Sequence, residues 1–436
     1  MEKLVIQGPG TLTGSLPVSG SKNTALMLMA GAMLAEGRSR IRNVPTLRDI
    51  STFSQVLRVA GAEVSLVEEE AAVDIDASNI TSLEAPYELV KKMRASFYML
   101  GALLGRFGRA RVSLPGGCAW GPRPVDLHLR GMEALGAEIV LDQGYVVAKA
   151  PGGRLQGGRF RFEKSTVGAT ANLMLAASLA KGTTCLDNVA IEPDVIELGH
   201  ALQKMGAKIE GLGTHSIEIE GVDRLTPAVV DNCPDRIELG TFLIAAAIAG
   251  KAGEPFAVTG GRPDHLGDAF VDALRDTGTG LEMNEGVVVV TPPERLHPVS
   301  IVTGVYPGFP TDLQAQWVIL LTQAEGVGTV RDPIYPDRFA HIPELVRLGA
   351  DASVDGDTVT VNGRVSMKGA PVMSTDLRAS VSLVLAGMVA RGATEVLRIY
   401  HLDRGYEKLE IKLQKAGIDI RREPYDEFAQ PVPHLI

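Results

Sequence analysis

LRVAGAEV at 57–64 decides how this chain folds, because the same phrase is written six times. It returns as MEALGAEI at 132–139, LQKMGAKI at 202–209, LRDTGTGL at 274–281, LVRLGADA at 345–352 and LQKAGIDI at 413–420. The shared glycines are Gly61, Gly136, Gly206, Gly278, Gly349 and Gly417, spaced 68 to 75 residues apart. Each phrase reads as the end of a helix, a glycine closing it in the left-handed conformation where a Cβ would be strained, and the start of a strand. Six occurrences at one period mean six copies of one supersecondary unit.

Outward from these phrases lie Ala-rich stretches ending near glycine, at 23–37, 94–108, 169–182, 240–253, 313–328 and 378–392. They are apolar around most of a helical circumference, so they are expected to be buried helices with sheet around them. Short strands are expected at 72–75, 144–149, 216–220, 286–291 and 358–361. Each unit of about 70 residues therefore carries strands and two helices, giving an α+β, mixed α/β fold with three units to each half. A TIM barrel fits poorly, since each of six periods holds several strands. Neither a dinucleotide fingerprint nor a Walker loop occurs; GPGTLTG at 8–14 has the wrong glycine spacing.

The 436 residues are enough for two or three domains, and 45% apolar residues argue against extensive disorder. The net charge of −9 gives no reason to expect nucleic-acid binding. Cys118, Cys185 and Cys233 are far apart, show no metal-ligand spacing and leave at least one thiol unpaired, which points to a reducing cytoplasm. No metal or other cofactor is expected. The opening MEKLVIQGPG lacks the apolar core of a secretory signal. The longest apolar run, 25–35 with glycine allowed, is short of the roughly 20 residues that span a bilayer.

The Ala-rich helices start on chemically conspicuous residues: Lys22-Asn23, Arg94, Lys164 to Gly168, Asp235-Arg236, Asp312 and Asp376 to Arg378. Aspartate there is ordinary capping. A cation at the positive end of a helix is unfavourable unless an anion sits opposite, so several such ends brought together make an anion receptor. The loop LPGGCAWGPRP at 114–124 sets Cys118 among glycines and prolines with Arg123 nearby, where a reactive thiol could serve as acid or nucleophile; a buried structural cysteine is the alternative. Asp312 is either a helix cap or a carboxylate that orients a substrate hydroxyl and accepts its proton.

Seven motifs carry a resemblance that covers essentially the whole chain. They are SGSKNTAL at 19–26, PGGCAWGPRPVDLH at 115–128, KSTVGAT at 164–170, PDRIELGTF at 234–242, FPTDLQAQ at 309–316, TDLRAS at 375–380 and HLDRGYEKLE at 401–410. The chain resembles the UDP-N-acetylglucosamine enolpyruvyl transferases. The resemblance implies a two-domain inside-out α/β barrel of six βαβαββ-like units with the active site in the interdomain cleft. It places one domain at 22–233 and the other at 1–21 with 234–436. It implies transfer of enolpyruvate from phosphoenolpyruvate to the 3′-hydroxyl of UDP-N-acetylglucosamine, with release of phosphate through a tetrahedral ketal, in an enzyme of cell-wall precursor synthesis; the default expectation is a cytoplasmic monomer, with an oligomer as the alternative. Both substrates are anions, which suits a cation-lined site.

By the same resemblance, Cys118 is the general acid or forms a covalent adduct with phosphoenolpyruvate, and is the thiol alkylated by fosfomycin. Asp312 binds the 3′-hydroxyl as its base. Lys22, Arg123 and Arg404 contact phosphate, with Arg338 and Arg378 in the same anion site. Asn23 and Asp312 hold the glucosamine ring near the Ile334 backbone. Arg94, Pro124, Val125, Asp126 and Leu127 match uridine-side contacts, and Lys164, Ser165, Thr166 and Val167 match the loop for the diphosphate and base. Two positions depart from the family pattern: Trp120 replaces a smaller loop residue, and Arg48 stands where lysine is frequent. The rival readings are the sister transferase acting on shikimate 3-phosphate and a noncatalytic nucleotide-sugar-binding protein; the first lacks the GGC loop and the HLDRGYE signature, and the second would have lost Cys118, Asp312 or several arginines.

Overall fold

All six repeat glycines close helices with φ between 82° and 106°, the left-handed region that glycine alone enters without strain. The computed structural model describes residues 1–91, 93–115 and 125–426. Its strands form six four-stranded sheets of one design. In each, a short strand lies parallel to its neighbour and the remaining two pairings are antiparallel.

The chain divides into two compact units, Ser19–Arg236 and Met1–Val18 with Ile237 onward. The first exceeds the expected 22–233 by three residues at either end. Both of its termini are tied inward: the Asp235 amide donates to the Ser19 carbonyl at 2.8 Å, and the Asn232 side chain donates to the Ser21 carbonyl at 3.0 Å.

Each unit is built round three of the Ala-rich helices. In Ser19–Arg236 these are α1 (Lys22–Ala32), α2 (Met99–Phe107) and α3 (Val167–Ala177); in the other they are α4 (Arg236–Ala249, from its second residue), α5 (Gln314–Gln323) and α6 (Leu377–Val389). The expected all-round burial holds: every residue of Thr24–Ala32, Ala169–Ala177 and Arg378–Met388 is buried. The helices stop earlier than their sequence pattern. α5 ends at Gln323, not 328, because Ala324 turns extended (φ −80°, ψ 152°) and Gly326–Arg331 is a strand.

Small residues make this packing feasible. A Cβ on Gly101 of α2 would lie 2.2 Å from the Asn172 carbonyl oxygen of α3, and one on Gly105, a turn later, 3.0 Å from the Ala176 Cα. The two glycines let the backbones of α2 and α3 approach closely enough for Asn172 to bond across. In the other unit the core is closed by Trp317, packed 5.1 Å from Phe309 and 6.1 Å from Phe270 between ring centroids, its indole donating to the Val299 carbonyl at 3.0 Å.

The Met1–Val18 segment is integral to that second unit. Glu2–Gly8 is an inner strand between Gly392–Leu397 and Asp419–Pro424, and Ser15–Pro17 pairs in parallel with Phe256–Thr259. No helix among the described residues is long and apolar enough to cross a membrane.

Candidate active site

Within Ser19–Arg236, Lys22 is the first residue of α1, a helix capped by the Ser21 hydroxyl, which accepts from the Thr24 amide at 3.2 Å. The Lys22 ammonium donates to the buried Asp49 carboxylate at 3.3 Å, and its backbone amide to Asp235 at 3.3 Å. Arg236 is likewise met by buried Asp194 at 3.4 Å, which also accepts from the Ser21 and Thr24 hydroxyls at 3.1 and 2.6 Å. Lys22 and Arg236 thus each meet a buried carboxylate, with which any anion binding there would compete. Asp49 and Asp194 were not visible as partners in the sequence, since 27 and 42 residues separate each from the cation it meets.

A second polar cluster joins the uridine-side candidates. Asn172 of α3 accepts from the Gly101 amide at 2.7 Å through its amide oxygen, so its nitrogen must donate to the Phe97 carbonyl at 3.0 Å and to His128 Nδ1 at 3.0 Å. That fixes the His128 proton on Nε2. Burial, with Arg94 beside it, pushes the His128 pKa down to about 3, so the ring is neutral. Val125, Asp126 and Leu127 sit just before it, with Asp126 opening the helix Asp126–Ala134. Lys164 to Thr166 lead into α3; Lys164 is exposed, Ser165 and Thr166 are half-buried, and Thr166 makes no side-chain cap. An uncapped helix start is suited to phosphate oxygens. Cys118, Arg123, Pro124 and Trp120 lie outside the described residues.

In the other unit Asp312 is no helix cap. Its carboxylate is gripped by two guanidiniums, Arg338 Nη1 at 2.8 Å on Oδ1 and Arg378 Nη2 at 2.8 Å on Oδ2. Burial raises its pKa, yet Arg378 and Arg338 outweigh that and hold the carboxyl well below the usual range. Arg338 also donates to the Thr311 hydroxyl at 3.1 Å, which passes its own proton to Asp332 at 2.6 Å. Fully buried Asp332 further accepts from the Ile334 and Tyr335 amides at 3.1 and 3.0 Å, fixing the loop that carries Ile334. Asp376, not Asp312, is the capping aspartate, accepting from the Arg378 and Ala379 amides at 2.7 and 3.1 Å. Arg404 is half-buried at the end of the turn Ile399–Arg404, two residues before buried Tyr406.

The structure thus brings Asp312, Arg338 and Arg378 into one cluster, and Lys22 with Asp49 into another. Asp49, Asp194 and Asp332, and Tyr406, whose hydroxyl lies 3.3 Å from Arg378, are partners of the candidate residues that sequence reading missed.

Six repeated sheet units around buried helices, with cations and carboxylates paired near the helix starts, are the features to set beside known proteins. Residues 6–413 match the family described as EPSP synthase (3-phosphoshikimate 1-carboxyvinyltransferase). The chain belongs to this enolpyruvyl transferase family and is an enzyme. Its relatives include the UDP-N-acetylglucosamine 1-carboxyvinyltransferase of Chloroherpeton thalassium, 54% identical over 99% of both chains. The protein of that name from Trichlorobacter lovleyi is 52% identical over 97% of this chain and 99% of its own. Among solved structures, the enolpyruvyl transferase NikO from Streptomyces tendae superposes with a TM-score of 0.86 at 28% identity, covering 97% of this chain and 98% of its own. An EPSP synthase from Acinetobacter baumannii shares the fold with a TM-score of 0.75 at 16% identity, over 97% and 100% of the chains.

Proposed function

We infer that this enzyme transfers the enolpyruvyl group of phosphoenolpyruvate to the 3′-hydroxyl of UDP-N-acetylglucosamine and releases phosphate. The observation that carries the reading is the 54% identity, end to end, with a relative named for that reaction. The described chemistry supports it. Asp312, ionised between two guanidiniums, is a strong acceptor for a sugar hydroxyl but a poor base while both arginines hold it. An incoming phosphate that draws Arg338 or Arg378 toward itself restores basicity to Asp312 as the hydroxyl attacks C2. The hydroxyl proton then passes to Asp312 while another acid protonates the methylene carbon, forming the tetrahedral ketal. Loss of a methyl proton with the C–O bond to phosphate gives the enol ether.

Cys118 is the candidate for that acid, or for the thiol that adds to phosphoenolpyruvate. Lys22, Arg123 and Arg404 are the candidate phosphate ligands. Asn23 and the Ile334 backbone serve the glucosamine ring. Arg94, Pro124, Val125, Asp126 and Leu127 serve the uridine, and Lys164, Ser165, Thr166 and Val167 the diphosphate. On this reading the enzyme works as a monomer in the cytoplasm, on the first committed step of peptidoglycan precursor synthesis.

The test is phosphate release from phosphoenolpyruvate with UDP-N-acetylglucosamine or shikimate 3-phosphate as acceptor. Release with the nucleotide sugar alone is expected; release with shikimate 3-phosphate alone overturns the reading. Cys118→Asp is expected to keep turnover and escape fosfomycin, and full inactivation of that variant by the drug would remove the thiol from the proposal.

A further inference from the structure

Tyr406 belongs to the HLDRGYE motif, yet neither the sequence pattern nor the reaction above gives its hydroxyl a task. The ring is only 2% exposed, and the hydroxyl lies where one side chain from each central helix of its unit arrives. These are Thr241 of α4 at 2.9 Å, Gln316 of α5 at 3.2 Å and Arg378 of α6 at 3.3 Å.

The proton of each hydroxyl here follows from groups that can only give or only take. The Asp312 carbonyl can only accept, so the Gln316 amide turns its nitrogen toward the cluster, 3.1 Å from that carbonyl. The Ile237 carbonyl can only accept, so Thr241 spends its proton there, at 2.8 Å, and its oxygen is left to accept. Arg378 can only donate. The Tyr406 oxygen therefore accepts from Arg378, its own proton goes to Thr241, and the second Gln316 hydrogen is shared between the Tyr406 oxygen and Thr241 Oγ1, 3.1 Å away. Through the other arm of the same guanidinium, Arg378 Nη2 holds Asp312 at 2.8 Å.

We propose that Tyr406 is a positioning residue: its hydroxyl, oriented by Thr241, fixes the plane of the Arg378 guanidinium and through it the Asp312 carboxylate that receives the sugar hydroxyl. A guanidinium anchored at one end has one orientation in which the other end meets Asp312 squarely, and buried, fully directed networks of this kind set unique geometry. The inference rests on the function proposed above, and one of its tests is independent of turnover.

Tyr406→Phe removes the hydroxyl and keeps the ring. It is expected to lower kcat roughly 10- to 100-fold, the scale of a misplaced catalytic group, with KM for the nucleotide sugar changed less than about 3-fold. Its melting temperature should fall by no more than about 4 °C. Thr241→Val should lower kcat in the same direction, Thr241→Ser should restore it, and Tyr406→Phe combined with Thr241→Val should fall no further than Tyr406→Phe alone. Parent-like kcat in Tyr406→Phe, a change confined to KM, or losses that multiply overturn the proposal; should Tyr406→Phe not fold, equal kcat for Thr241→Val and Thr241→Ser does so. In the ligand-free protein, the Arg378 guanidinium hydrogens should exchange roughly tenfold faster in Tyr406→Phe by nitrogen-15 NMR. Unchanged exchange overturns the inference whatever the turnover. A parent inactive on UDP-N-acetylglucosamine refutes the functional reading alone, and the exchange rates then decide the role of Tyr406.

Discussion

Asp312 is the residue on which charge balance and chemistry converge. Arg338 and Arg378 are nearly buried, with side-chain exposures of 7% and 5%, and Asp312 is the carboxylate both of them meet. Asp312→Asn leaves two guanidiniums facing a neutral amide, so it is expected to cost roughly 3 kcal/mol in urea unfolding at neutral pH and to abolish most turnover. The folded pKa lies below the ordinary 3.8, so this stabilisation is complete above that value and drains away as pH falls below it. The stability gap between parent and Asp312→Asn should therefore narrow between pH 6 and pH 3. A gap that widens on acidification contradicts the pairing. At this scale the sequence was partly legible. Asp312 and Arg378 were named through the motifs that hold them and Arg338 through the resemblance of the whole chain, but capping and ion pairing look alike when only a helix start is visible. Asp49, Asp332 and Tyr406 stayed hidden because their partners arrive from other elements, and no local spacing announces such a meeting.

At the scale of elements, the glycine phrases gave helix ends and unit count, because a left-handed cap is a local requirement written at a single position. Helix lengths were less legible: the stretch 313–328 leaves the helix at Gln323 and runs through exposed residues 325–327 into a strand that buries Gly328 and Val330, and an Ala-rich pattern does not mark where one state gives way to the other. The contact between α2 and α3 supplies the element-scale prediction. Gly101→Ala would press a methyl group to within 2.2 Å of the Asn172 carbonyl oxygen, so the helices must separate. The expected cost is about 3 kcal/mol by thermal or urea unfolding. The same shift would loosen Asn172 from His128, and the Nδ1 to Asn172 distance in a structure of the variant checks the cause. Stability equal to the parent's would show that the close approach is not tight.

At the scale of the molecule, the two units are unequal in how they use the chain. Ser19–Arg236 is continuous, and its first sheet is completed by its own Val229–Asp231, parallel to Arg38–Arg42. A fragment of residues 19–236 is therefore expected to unfold cooperatively on heating by circular dichroism, and a non-cooperative trace would contradict its independence. The other unit draws an inner strand from the chain's beginning. Deleting residues 1–18 should leave residues 237–436 unable to form a cooperative unit, since Gly392–Leu397 and Asp419–Pro424 would lose the strand that joins them.

That borrowed strand imposes an order on biosynthesis. Glu2–Gly8 leaves the ribosome ahead of the rest of its unit, and its pairing partners are encoded some four hundred codons later. At about 5–20 residues per second the segment waits on the order of 20–80 s with its amides paired only to water and Leu4 and Ile6 uncovered. Throughout that interval the contiguous unit can already be folded, so a strand synthesised before it finds its place after it.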